Sequence, residues 1–172
     1  MTAESPPVGV VGTGYWGKNL LRNFQALGAL AALCESDAGL RAERAAAYDV
    51  PAYASLDALL RERAVEAVAI ATPPATHGAL ARQALEAGRH VFVEKPLCLD
   101  LAEAQALDQL ARQRGLTLMV GHLLLYHPAF VALRELLAAG RLGPLRYIYS
   151  NRASLGKIRR EENALWSFAP HD

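Results

Sequence analysis

Cysteine, lysine, long apolar runs and charge of one sign are all scarce in this 172-residue chain. Its two cysteines, Cys34 and Cys98, lie far apart with no spacing for zinc or for a disulfide framework, so both are expected to be reduced, structural and buried at strand edges, and no metal site is expected. No apolar stretch approaches the roughly 20 residues that cross a bilayer. The opening residues, Met1-Thr2-Ala3-Glu4-Ser5-Pro6-Pro7, lack the basic start and apolar core of a targeting segment. A cytoplasmic protein without a membrane partner is expected. The 18 basic and 17 acidic residues leave a net charge of +1, which excludes a polycationic face for nucleic acid and favours a small-molecule substrate. Lysine is the rarer base, with Lys18, Lys95 and Lys157 set against an arginine majority, so a lysine in a loop attracts notice.

What the chain does have is a globular balance, 52% hydrophobic and 20% charged, arranged as short apolar runs alternating with amphipathic stretches. That alternation predicts βα units on a parallel sheet covered on both faces. Val8-Gly9-Val10-Val11 reads as a buried strand. Leu20, Leu21, Phe24 and Leu27 then recur at helical spacing until Gly28. Further strands are expected at 29–33, 65–71, 90–93 and 116–120, with helices at 40–48, 76–87 (stopped by Gly88) and from Asp100 to Gly115. The last is signalled by Asp100 with Glu103 three residues on. Beyond Gly121 a helix at 128–139 ends at Gly140, and Gly143-Pro144 leads into 145–150, where Leu145, Tyr147 and Tyr149 share a face as in an open antiparallel strand. The fold expected is therefore α/β: a doubly wound Rossmann sheet over residues 1–122, then the start of a truncated α+β substrate domain over 123–172, too short for a core of its own.

Between the first strand and first helix stands Gly12-Thr13-Gly14-Tyr15-Trp16-Gly17, a G-x-G-x-x-G in the context that dinucleotide binding requires. Gly12 permits the tight turn, Gly14 lets a pyrophosphate approach the backbone, and Gly17 allows the helix close to the strand. The helix N-terminus offers its free N–H groups to the anion. Glu35, 23 positions after Gly12, is placed to accept from ribose hydroxyls and to repel a 2′-phosphate, which selects NAD over NADP; Asp37 is the rival for that role, and Arg41 reads as a helix-surface residue. Two further segments follow strands at the carboxyl edge, where open α/β sheets bind ligands: Thr72-Pro73-Pro74-Ala75-Thr76-His77 and Glu94-Lys95-Pro96.

Together these segments resemble the Gfo/Idh/MocA family of oxidoreductases, in the unaltered E-K-P of 94–96 and the P-P-x-x-H turn of 73–77, and the resemblance runs from Val8 to the end. It implies that Lys95 contacts the substrate hydroxyl and the nicotinamide side, that the Lys95–Pro96 peptide is cis, and that His171 accepts or positions the hydroxyl proton. Thr72, Pro73, His77 and Glu94 would lie by the cofactor and His122 near the substrate mouth. Many members place an aspartate four residues before the histidine; Ser167 stands there, so the division of acid-base work between Lys95 and His171 stays open. The stretches 14–19, 156–163 and 165–172 resemble a sugar-nucleotide dehydrogenase subgroup. This implies NAD-dependent oxidation of a sugar hydroxyl, C3 of a UDP-N-acetyl-hexosamine, to a keto-sugar, by a homo-oligomer in the full-length form. Lys157, Arg159 and Arg160 either contact the diphosphate or form a solvated face. The alternative is a dinucleotide-binding module or truncated fragment without catalysis.

Overall fold

The computed structural model describes residues 5–151. A boundary between Gly121 and His122 separates two compact units. In the first, six strands form one sheet, all pairs parallel, in the order β3-β2-β1-β4-β5-β6. The strands are β1 (Val8–Val11), β2 (Leu30–Cys34), β3 (Ala52–Tyr53), β4 (Ala67–Ile70), β5 (His90–Val93) and β6 (Leu118–Val120). Between them run α1 (Gly17–Ala26), α2 (Ala38–Tyr48), α3 (Leu56–Leu60), α4 (Pro74–Glu86) and α5 (Leu101–Gln113).

The run of β-branched and small apolar residues in the strands leaves almost nothing for water: all four residues of β1 are buried, as are Val68, Ala69 and Ile70 of β4. Side-chain alternation divides them between two cores. Val68, Ile70, Val91 and Val93 join Leu59, Ala81, Leu85, Leu107 and Ala111 from α3, α4 and α5. Val10, Leu33 and Ala69 join Leu20 and Leu21 from α1 on the other face. A fully buried Leu or Val contributes about 1.5–3 kcal/mol relative to exposure, so two-sided burial is what holds the strands. The helices end at Gly28, Gly88 and Gly115 as the sequence predicts, and Asp100 caps α5 by accepting from the Glu103 N–H at 2.8 Å.

Three details differ from the sequence expectation. The two-residue β3 and five-residue α3 carry too little periodicity to be read in advance; Ser55, which accepts from the Ala58 N–H, is the one local signal for α3. Cys98 lies in the loop before α5 and not at a strand edge, although both cysteines are buried and free. In the second unit a 3-10 turn (Leu123–Tyr126) precedes α6 (Pro128–Ala138), but no strand forms at 145–150. Leu145, Tyr147, Ile148 and Tyr149 are exposed on both sides. A strand exists by its ladder, and no other described segment pairs with this one.

Strand register decides where the first unit can work. Val11 pairs with Cys34 and Ile70, Ile70 with Val93, and Val93 with Val120. The residues that follow, Gly12, Glu35, Ala71, Glu94 and Gly121, therefore form a row along the carboxyl edge. Chain order reverses between β1 and β4, the switch point at which such sheets open a crevice.

Candidate functional site

The glycine loop is built by close approach. Gly12 has φ +81°, a conformation that favours glycine, and its N–H donates to the Cys34 carbonyl at 2.9 Å. A Cβ on Gly17 would land on the Gly12 carbonyl oxygen, so the first turn of α1 lies against the strand end only because that atom is missing. Gly14 differs: a Cβ there would meet no heavy atom within 4 Å. The protein itself does not need that glycine, which is how a residue reserved for a ligand's approach looks. The α1 N-terminus has no side-chain cap and no acidic residue in its first turn, whereas α2, α3, α5 and α6 are capped by Asp37, Ser55, Asp100 and His127. An anion would meet open N–H groups there without repulsion.

Glu35 is locked into this loop. Its Oε2 accepts from the Thr13 N–H at 2.8 Å and the Thr13 hydroxyl at 2.9 Å, and its Oε1 accepts from the Asp37 N–H at 3.1 Å and the Ser36 hydroxyl at 3.4 Å. Burial pushes its carboxyl up, but those four bonds outweigh it and hold Glu35 below the usual carboxylate range. Asp37, the rival candidate, is committed to capping α2 through the Leu40 N–H at 2.7 Å. Arg41 is not merely a helix-surface residue: its Nη1 donates to the Glu35 carbonyl at 2.7 Å and the Ser36 carbonyl at 3.2 Å, bracing the turn. No sequence signal points to that brace, which forms only when α2 folds back over the end of β2. The neighbouring Cys34 thiol is pushed up to about 11, first by burial and then by the Glu35 charge.

Across the crevice, Thr72 and Pro73 lead into α4, whose N-terminus also lacks a side-chain cap. Thr76 donates its hydroxyl to Thr72 Oγ1 at 2.7 Å. Glu94 is 8% exposed, bonded by the Trp16 indole N–H and the Lys95 backbone N–H, yet its Oε1 has no partner. Burial drives its carboxyl above the ordinary range, and the pull of those bonds and of the Lys95 and His77 charges does not overcome it. A Cβ on Gly121 would stand 3.1 Å from Glu94 Oε2, so the absent side chain after β6 leaves room for this carboxylate. A buried acceptor without a donor fits a hydroxyl-rich ligand such as the riboses of a dinucleotide. Lys95 is half-buried, and the Lys95–Pro96 peptide is cis. Tyr15 and Trp16 are exposed on the loop, with the Lys18 ammonium 5.4 Å from the Tyr15 ring centroid.

His77 was expected beside the cofactor; its ring is buried, with both nitrogens against the Pro96 and Thr72 carbonyl oxygens. His122 opens the second unit, half-buried. His171, Lys157 and Arg160 lie outside the described residues. An apolar cavity among the described residues, about 360 Å³ and lined by Val8, Phe24, Val68, Phe92 and Met119, sits at the amino ends of the strands, away from the glycine loop. Among the described residues no His, Cys, Asp and Glu cluster could hold a metal ion, and no helix is long and apolar enough to cross a membrane.

The profile of the Gfo/Idh/MocA oxidoreductases, described as an NAD-binding Rossmann fold, matches residues 7–122. The chain belongs to this family. Its Rossmann unit is thus an NAD-binding domain, and the glycine loop, the open Gly14 and the orphaned Glu94 oxygen suit that cofactor. The UDP-N-acetylglucosamine 3-dehydrogenase of Acidithiobacillus ferrooxidans is 41% identical over 151 residues, 88% of this chain and 46% of that enzyme. Its solved structure superposes with a TM-score of 0.71 at 42% identity, over 75% of this chain and 42% of the other. GenD2 from gentamicin A biosynthesis, solved in complex with NAD, superposes with a TM-score of 0.77 at 34% identity, over 82% of this chain and 41% of its own. The chain spans under half the length of these relatives.

Proposed function

We propose that this protein is an NAD-dependent dehydrogenase that oxidises a secondary hydroxyl of a sugar, C3 of a UDP-N-acetyl-hexosamine, to the ketone. The observation that carries the reading is the placement of Glu94-Lys95 on the carboxyl edge in register with the glycine loop, with Lys95 directly after a buried carboxylate one of whose oxygens still lacks a donor. NAD, when bound, supplies the hydride acceptor. The chain's residues do the rest. The 12–17 loop and the α1 N-terminus hold the pyrophosphate, and Glu35 accepts from the adenosine ribose while disfavouring a 2′-phosphate. Thr72, Pro73 and Glu94 line the nicotinamide side, and Lys95 with His171 binds the hydroxyl and takes its proton as the C–H hydride leaves. His122, Lys157 and Arg160 bind the nucleotide sugar, with residues 123–172 belonging to the substrate-binding domain of a cytoplasmic homo-oligomer.

The protein incubated with NAD and UDP-N-acetylglucosamine should generate NADH absorbance, and Lys95→Met should slow turnover by about 10²–10⁴-fold, the usual worth of a positioned proton-transfer group. Silence across nucleotide sugars, free sugars and inositols would refute the reading. The second reading is a domain that binds NAD without turnover; NAD binding with no NADH from any nucleotide sugar, free sugar or inositol distinguishes it.

A further inference from the structure

Three polar side chains are buried among the described residues: Thr13, His77 and Glu94. Thr13 is spent on Glu35 and Glu94 faces the ligand, but no cofactor contact explains His77, which is 1% exposed in the first turns of α4. Its Nδ1 stands 2.7 Å from the Pro96 carbonyl oxygen and its Nε2 2.8 Å from the Thr72 carbonyl oxygen. Those two carbonyls belong to the two segments that face the glycine loop, one after β4 and one after β5. A neutral imidazole has one N–H and one bare lone pair. In that form one nitrogen would confront a carbonyl oxygen lone pair to lone pair within 3 Å, a repulsion with no compensating bond.

The charged groups around the ring come from two further elements. Glu94 and Lys95 follow β5, and the Glu103 carboxylate of α5 is seated over Gly78, the next residue of α4. Two of the three are negative.

We propose that His77 is a positioning residue that carries both ring protons and donates to the Thr72 and Pro96 carbonyl oxygens, tying the Thr72-Pro73 turn to the Glu94-Lys95-Pro96 segment as one body. Its positive charge partly offsets the burial of Glu94, whose free oxygen is left for the cofactor. The inference rests on the NAD-site reading of these segments and not on any choice of sugar.

Ring nitrogen NMR of the unmutated chain at neutral pH, where an exposed histidine is largely bare on one nitrogen, should show both His77 nitrogens protonated. A bare nitrogen overturns the proposal, whether or not NAD binds. His77→Gln keeps donor reach to one carbonyl and removes the charge. It should remain folded by circular dichroism and bind NAD about tenfold more weakly by calorimetry, and that loss should shrink in a Glu94→Gln background, as coupled neighbours require. Unchanged NAD affinity in the folded variant, or strictly additive losses in the double variant, would also overturn it. Should His77→Gln not fold, the spectrum of the unmutated chain decides.

Discussion

Glu35 and Glu94 end neighbouring regions of one sheet edge, one register step past β2 and β5, yet the fold treats them in opposite ways. Glu35 is partly exposed and held by four hydrogen bonds that keep its carboxyl low; Glu94 is almost wholly buried, keeps an oxygen without a partner, and is pushed high by burial. The difference separates a carboxylate that the protein itself holds in place from one with an oxygen still awaiting a donor. The Glu35 turn of the β1–β2 half is finished by protein atoms alone, and that half opens to a ligand only at Gly14 and the uncapped α1 N-terminus. The β4–β5 half is left incomplete, and a buried incomplete acceptor lowers stability until a donor arrives.

The harshest way to break the finished half is Gly17→Ala, because the new methyl must displace the Gly12 backbone. We expect a loss of about 3 kcal/mol or more in denaturant unfolding, at the upper end of overpacking costs. Next in size, Glu35→Ala strands the buried Thr13 N–H and should cost about 1–3 kcal/mol, with NAD affinity falling alongside. Glu94→Gln sharpens the contrast by doing the reverse: NAD should bind about tenfold more weakly, about 1.4 kcal/mol, while unliganded stability measured by thermal melting is not lowered, since the amide avoids the cost of burying charge. The two carboxylates also give opposite pH slopes. Glu35, held low, contributes stability that is present above the ordinary glutamate value of about 4.3 and is lost as pH falls through its folded value. Glu94, held high, opposes folding increasingly as pH rises from the ordinary glutamate value towards its own, and fully above it. Removing Glu35 should therefore flatten the acid limb of the stability curve. The smallest structural effect belongs to Gly14→Ala, within about 0.5 kcal/mol in stability, but with NAD binding impaired because its open space is the ligand's.

Much of this was legible in order of local determination. The glycine loop, the Asp100 cap, the helix stops and the buried strands follow from φ requirements, capping chemistry and side-chain period, all properties of a few consecutive residues. Glu35 could be chosen from its distance to Gly12, but not its four protein bonds nor the use of Asp37 as a cap, since those depend on α2 folding back over the end of β2. The strand expected at 145–150 shows the same limit from the other side: alternation proposes a strand, and only a partner makes one.

The sequence by itself determined a parallel α/β sheet with a dinucleotide loop, because periodicity and glycine placement are written along the chain. Only the tertiary structure decided that His77 is buried between the Thr72 and Pro96 carbonyls, that Arg41 braces the Glu35 turn, and that Glu94 is left with an unmet oxygen. Those facts turn on burial and on contacts between segments tens of residues apart, which arise when register brings the strand ends into one row.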